Sequence, residues 1–343
     1  MHIKNYKKVK MNYKPLVNIE EKIKRELSSL RLVPERSIKR AIRSKQRFFT
    51  SPCQNATGGK YFFKARLKAS PETRKALLKE IIVNEVLADL FDYDIRFYMP
   101  KKIESREVKP EWILFEHIEG TFLGRKREIA FSHLRKKYIK PLCESILDIQ
   151  RLSIDKIFEP EEKRALELKI HDYEIYKKKV LSMAGDFKKY FGEKMLREAL
   201  DLFKEKKELL GDYACVLAHG DVHLENILIF DGKILITDWE QAHIDNFVYD
   251  LGLIYNQTWE HPAWRNELAR QFFQMIKSKR EFRELFRMVV LKLTLIDMVC
   301  WRRAEIRAKK GRNLALVEKT QRAQKIHQKT AKRALLGFEE LIK

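Results

Sequence analysis

From Leu217 to Glu240 the chain reads LAHGDVHLENILIFDGKILITDWE, and this stretch limits the available folds more than any other. The apolar runs ILIF and KILIT stand on either side of Asp231-Gly232. An Asp-Gly pair in that setting is a two-residue hairpin turn, because both positions tolerate the left-handed backbone that the turn needs. Yet the surrounding pattern is helical from about Ser132 to Leu210, and again beyond Asp250-Leu-Gly. The fold must therefore set a short antiparallel hairpin inside a helical body. Polar residues crowd its two ends: His219, Asp221, His223, Asn226, Asp238 and Glu240. Pairing ILIF with KILIT brings Asp238 back beside Asn226.

Upstream, residues 1–36 read as a basic helical extension, with Ile23, Leu27 and Leu30 at helical spacing and Pro34 ending it. RFFTSPC and KYFFKARL flank the turn sequence NATGG, which places Lys64 on a strand. SPETRKALLKEIIVNEVLADLF opens on Ser-Pro and continues as one helix with a broad apolar face. EWILFEHIEG reads as a further strand ending at Gly120. The expected fold class is α+β in two lobes: a small sheet-plus-helix lobe over 37–115, a hinge at 116–120, and a larger, mostly helical lobe over 121–343. A ligand cleft is expected between such lobes.

Charge narrows the partners. Lysine and arginine number 71 against 48 acidic residues, a net charge of +23. About half of that surplus lies in the first 47 residues and most of the rest follows His261. Ends this basic suit nucleic acid, an anionic membrane surface or a phosphorylated glycan, or else form a solvated coat on helices. Cys53, Cys143, Cys215 and Cys300 are widely spaced and contain no C-x-x-C pair, which argues against a disulfide framework or zinc knuckle and for a reducing compartment. The basic N-terminus lacks the apolar core of a signal peptide. VVLKLTLIDMVCW, from Val289 to Trp301, contains Lys292 and Asp297 and falls short of the roughly 20 residues of a membrane span, so a core helix is expected. The expected location is cytoplasmic, or peripheral to the inner face of a membrane.

Asp221, Asn226 and Asp238 form a phosphoryl-transfer layout. An amide and a carboxylate supply the hard oxygen donors that Mg²⁺ accepts alongside water and phosphate, and Asp221 is left to orient an attacking hydroxyl and receive its proton. H219-G-D-V-H-L-E-N-I-L228 with T237-D-W-E240 resembles the catalytic-loop and metal-loop motifs of the aminoglycoside phosphotransferase and choline kinase family, the small-molecule branch of the protein-kinase-like fold. The resemblance spans roughly Lys39 to Tyr255. It implies ATP as co-substrate with Mg²⁺, and Asn226 and Asp238 as the metal ligands. It implies that Lys64 contacts the α- and β-phosphates and that a glutamate on the next helix pairs with it. Glu80 is preferred to Glu85, which stands about 140° further round the helix. Backbone groups at Glu116 and Ile118 would bond the adenine, Gly120 would let the chain turn into the larger lobe, and Asp250 would support the catalytic loop.

The chain departs from the pattern in two places. No glycine-rich loop precedes RFFTSPC, so the phosphate-covering turn falls near Ser44-Lys45-Gln46. Glu240 stands where protein kinases keep a glycine, and it is a candidate for the metal shell or for substrate orientation. The basic ends and GGKYFFK resemble the related lipopolysaccharide-core sugar kinases, which implies a glycan acceptor at an anionic membrane face.

His219-x-Asp221-x-His223 could hold a transition metal through imidazole. In the phosphotransferase reading both histidines brace the loop instead. The chain could be a kinase-like scaffold that grips nucleic acid through its ends, although a scaffold needs none of Asp221, Asn226 and Asp238. Lys64 or Glu80 alone would be a surface charge, Asp297 a solvent-edge residue or capping partner more often than a functional acid, and Trp259, Trp264 and Trp301 core more often than the lining of an acceptor pocket.

Overall fold

The computed structural model describes residues 17–68, 70–91, 102–105, 111–124, 134–152, 154–158, 166 and 168–338. These fall into two compact units, one drawn from Met1–Leu77 with Lys102–His117, the other from Leu78–Lys101 with Ile118–Lys343.

The first unit holds α1 (Val17–Ser29), β1 (Leu32–Pro34), α2 (Ile38–Arg43), β2 (Phe48–Asn55), β3 (Lys60–Arg66), β4 (Lys102–Ser105) and β5 (Trp112–Glu116). Its strands make one antiparallel sheet in the order β1-β2-β3-β5-β4. The β2–β3 turn closes because the Asn55 side-chain oxygen accepts from Thr57 N (3.1 Å) and Gly59 N (2.6 Å). One face of the sheet buries Phe49, Phe63, Trp112 and Leu114 with Ile23 and Leu27 of α1. The Trp112 indole donates to Glu26 at 3.2 Å.

The N-terminal extension differs from the sequence expectation. Residues 1–16 lie outside the described residues, α1 stops at Ser29, and Arg31 takes φ 55°. Leu32–Pro34 then pairs with Cys53–Asn55 as an edge strand, where proline's missing N–H costs nothing. Ile23, Leu27 and Leu32 thus belong to the core of the sheet rather than to a separate appendage. The strand expected to end at Gly120 ends at Glu116.

α3 (Pro71–Phe91) begins in the first unit and continues in the second. The second unit goes on through β6 (Thr121–Phe122), α4 (Ile139–Gln150), α5 (Ile154–Ile157), α6 (Tyr173–Leu181), α7 (Ala184–Phe191), α8 (Lys194–Glu205) and α9 (Lys207–Asp212). Then come β7 (Val216–Ala218), β8 (Ile227–Phe230), β9 (Lys233–Ile236) and β10 (His243–Asp245). Four helices follow: α10 (Tyr249–Gln257), α11 (Pro262–Met275), α12 (Lys279–Lys310) and α13 (Leu314–Leu335).

The expected hairpin is β8–β9, with Ile227 opposite Ile236 and both Asp231 and Gly232 at positive φ. β6 joins β8 from the other side, and β7 pairs with β10 in a second small sheet. Gly120 sits against this hairpin for lack of space: a Cβ there would lie 2.5 Å from Leu228 Cγ and 2.8 Å from the Ile229 carbonyl oxygen. The apolar run Val289–Trp301 is the interior of the 32-residue α12, with Val289, Val290, Leu291, Leu295, Met298 and Val299 buried. No helix among the described residues is long and apolar enough to cross a membrane.

Candidate active site

The loop after β7 is held from beneath. The Asp250 carboxylate, at the start of α10, accepts from His219 N (2.8 Å) and Gly220 N (3.1 Å). Gly220 has φ +81°, and a Cβ there would lie 2.5 Å from the Gln241 carbonyl oxygen, so only glycine fits. The His219 ring donates from Nε2 to the Thr237 carbonyl (2.9 Å), while Nδ1 accepts from Asp221 N (3.2 Å). Burial lowers the imidazole's pKa, consistent with this neutral tautomer. Both nitrogens are used within the loop, which closes the transition-metal reading for His219 and leaves it as the brace expected from the sequence.

Asp221, Asn226 and Asp238 gather at the open end of the β8–β9 hairpin. Thr237 N donates to the Asn226 carbonyl (2.9 Å), continuing the ladder by one step, and Asp238 follows it directly. The Asn226 side-chain nitrogen donates to the Asp221 carbonyl (2.9 Å), which leaves the amide oxygen as its outward donor atom. Asp238 turns the chain at φ 72°, ψ 58°, a left-handed conformation that aspartate tolerates better than most residues. His223 Nε2 lies 2.5 Å from Asp221 Oδ1, and each side chain is 35% exposed. His223 thus braces the Asp221 carboxylate itself.

Glu80 joins this group from α3. Carboxylate oxygens of Glu80, Asp238 and Glu240 all lie within 4.8 Å of one another, with Glu80 buried and the other two half-buried. The neighbouring Lys79 ammonium donates to the Ala242 carbonyl (2.7 Å), fixing α3 to the segment after Glu240. Three converging carboxylates repel one another unless a cation or proton sits among them, and hard oxygen donors are what Mg²⁺ takes. Glu80 is 3% exposed while Glu85 is part-exposed, so Glu80 is the inward glutamate of α3.

Lys64 lies in the first unit on β3, opposite Thr50 and Ile113, 3% exposed, with its ammonium 4.8 Å from the Phe48 ring centre. Glu116 ends β5 and is exposed, and Ile118 follows it with its carbonyl accepting from Gly120 N (3.0 Å).

Asp297, expected at a solvent edge, makes specific side-chain contacts, and a second acid, Asp245, escaped the sequence reading altogether. The Asp297 Oδ2 accepts from the Asn256 side chain (2.5 Å), and Thr294 donates to that asparagine's oxygen (2.9 Å). Burial pushes the Asp297 carboxyl up to about 7, opposed by His223 nearby. Its only sequence signal was an acid inside an apolar run. Deeper lies Asp245, which His171, His243, Tyr176, Asn246 and Lys292 surround. These partners come from three separate stretches, 171–176, 243–246 and Lys292, and no local motif marks them.

A model described as "Phosphotransferase enzyme family" matches residues 49–285. No curated protein matches the sequence. Among solved structures, the chain resembles the GDP complex of wild-type aminoglycoside 2'-phosphotransferase-IIIa at 12% identity, covering 92% of this chain and 99% of that one with a TM-score of 0.54. It resembles choline kinase LicA from Streptococcus pneumoniae at 13% identity over 93% and 99%, TM-score 0.53. It also resembles amicoumacin kinase hAmiN, in complex with AMP-PNP, Ca²⁺ and Ami, at 11% identity over 91% and 94%, TM-score 0.55. At these identities the likeness is one of fold, and that fold is protein-kinase-like.

Proposed function

This chain belongs to the phosphotransferase enzyme family, and from that premise we propose that it moves the γ-phosphoryl group of ATP onto a hydroxyl of a glycan or small molecule. Membership makes it a kinase acting on a hydroxyl group. The observation that carries the reading further is the grouping of Asp221, Asn226 and Asp238 around one hairpin end. In the proposed reaction the acceptor oxygen attacks the γ-phosphorus and the bond to the bridging oxygen breaks. ADP leaves with that electron pair, and the hydroxyl proton passes to Asp221. His223 fixes the orientation of the receiving carboxylate.

The donor set fits Mg²⁺: the Asn226 amide oxygen and the Asp238 carboxylate would hold it, with Glu240 close by. Bound there, the ion would neutralise charge on the phosphates. Lys64, set by Glu80, would hold the α- and β-phosphates, and the backbone at Glu116 and Ile118 would receive the adenine. Most of the rate gain in such a transfer comes from placement and charge neutralisation.

For the acceptor, a net charge of +23 is a poor match to a cationic molecule and a good one to an anionic, lipopolysaccharide-type sugar. The test is transfer of labelled γ-phosphate from ATP into separate fractions of small metabolites, lipids and macromolecules. Label should enter an anionic glycan or lipid fraction and fade as salt rises. Label confined to neutral or cationic metabolites at any salt would sink the acceptor class. Asp221→Asn should abolish transfer while Mg-ATP still binds, and full transfer by that variant would sink the proposed chemistry.

A further inference from the structure

The α12–α13 hairpin carries a surface that phosphoryl transfer does not use. Residues 302–333 contain twelve lysines and arginines against two glutamates, Glu305 and Glu318. Some of these cations are tied down: Arg302 and Lys309 on Glu305, Arg303 on Asp186, Lys319 and Arg322 on Glu260. Arg307, Lys310, Arg312, Lys325, Lys329 and Lys332 are exposed and make no ion pair among the described residues.

Their placement is not random. Lys325, Lys329 and Lys332 follow helical spacing along one face of α13. The opposite face, with Ala323, His327, Thr330, Ala331 and Ala334, is buried. Leu314 stands about three turns before Lys325 on the same face, and three turns return a side chain to nearly the same direction. Leu314 is 76% exposed and Leu316 38%, at the tip where Lys309, Lys310 and Arg312 are also exposed. A helix with a cationic stripe and leucines at one end has the make-up of one that lies on an anionic bilayer, leucines in the interface and lysines at the headgroups.

Nucleic acid is the other polyanion to weigh. Between Trp301 and Phe338 there is no Phe, Trp or Tyr to stack on a base, and contacts to phosphates alone would leave Leu314 and Leu316 in water. We propose that the exposed face of α13, together with the α12–α13 tip, is a docking surface for an anionic phospholipid bilayer. This goes beyond the phosphotransferase reading and stands without it.

The test is sedimentation of the full-length chain with phosphatidylcholine vesicles, with and without about 30% phosphatidylglycerol, at low and raised salt. The chain should sediment with the anionic vesicles and not with neutral ones. Lys325→Glu, Lys329→Glu and Lys332→Glu combined should weaken binding by about a hundredfold or more, since each lysine near such a surface contributes roughly fivefold. Leu314→Ser with Leu316→Ser should weaken it with every charge in place. A control with Lys177, Lys188 and Lys189 changed to Glu should bind as the unaltered chain does, and all variants should keep their melting temperature and soluble activity. Equal binding to neutral vesicles, or undiminished binding by the triple variant, would overturn the proposal. So would RNA binding tighter than vesicle binding that the leucine changes leave untouched.

Discussion

Asp221 and Asp245 lie in the same unit, each beside histidine, and differ in how far water reaches them. Asp221 and its partner His223 are each 35% exposed, with one ring nitrogen 2.5 Å from the carboxylate. Asp245 is fully buried. Its Oδ1 accepts from the Tyr176 hydroxyl (3.0 Å), Asn246 N (2.8 Å) and the Asn246 side chain (2.7 Å). Its Oδ2 lies 3.2 Å from His171 Nδ1, 3.3 Å from His243 Nε2 and 3.9 Å from the Lys292 ammonium. Burial alone would push its carboxyl up, but Lys292 and the two histidines hold it below the usual carboxylate range. A saturated, dry carboxylate binds elements together and has no capacity left for a substrate's proton. A half-wet carboxylate with one brace keeps that capacity.

The sharpest way to break this contrast is to delete each acid in turn. Asp245→Ala strands Lys292 without a counter-charge and should cost about 3–5 kcal/mol of stability, read as a large fall in melting temperature. Asp221→Ala should leave stability within about 0.5 kcal/mol, and comparable melting of the two variants would erase the distinction. Next, Glu240→Gln should raise the Mg²⁺ concentration for half-maximal transfer about tenfold, and an unchanged requirement would remove Glu240 from the metal's surroundings. His223→Gln should lower transfer by a smaller factor of about threefold to tenfold, with the melting temperature held; no change in rate would leave the 2.5 Å contact without a role.

The smallest effect is one of pH. Burial lowers the His171 imidazole from 6.5 to about 4. Between those values the unfolded chain takes up a proton that the folded chain refuses, so this contribution is complete above pH 6.5 and is lost as pH falls towards 4. Melting temperatures should decline across that window, and His171→Phe should flatten the decline. An identical slope in the variant would place the acid sensitivity elsewhere.

Much of the half-wet site was legible because its parts are local. Asp221, Asn226 and Asp238 lie within one loop and one hairpin, and the Asp-Gly turn fixes their register. The dry hub was not legible: His171 stands 74 residues from Asp245, and its approach depends on how Lys169–His171 lies against Ile244. The sequence marks Glu80 only as a partner for a lysine, and its place beside Asp238 and Glu240 depends on α3 reaching a segment 163 residues away from Lys79. The end of α1 departs from the sequence expectation for a similar reason. Leu30-Arg-Leu-Val-Pro continues the helical spacing of apolar residues, but pairing with Cys53–Asn55 converts it to a strand.

α12 runs from Lys279 to Lys310 without a proline or a glycine. It is a rod about 48 Å long at the usual helical rise. Along it stand Lys292 in the ionic hub, Asp297 beside the loop that carries Asp221, and Lys310 at the cationic tip. No proline or glycine interrupts it, so Lys292, Asp297 and Lys310 hold fixed spacings on one continuous helix, the last about 20 Å along the axis from Asp297.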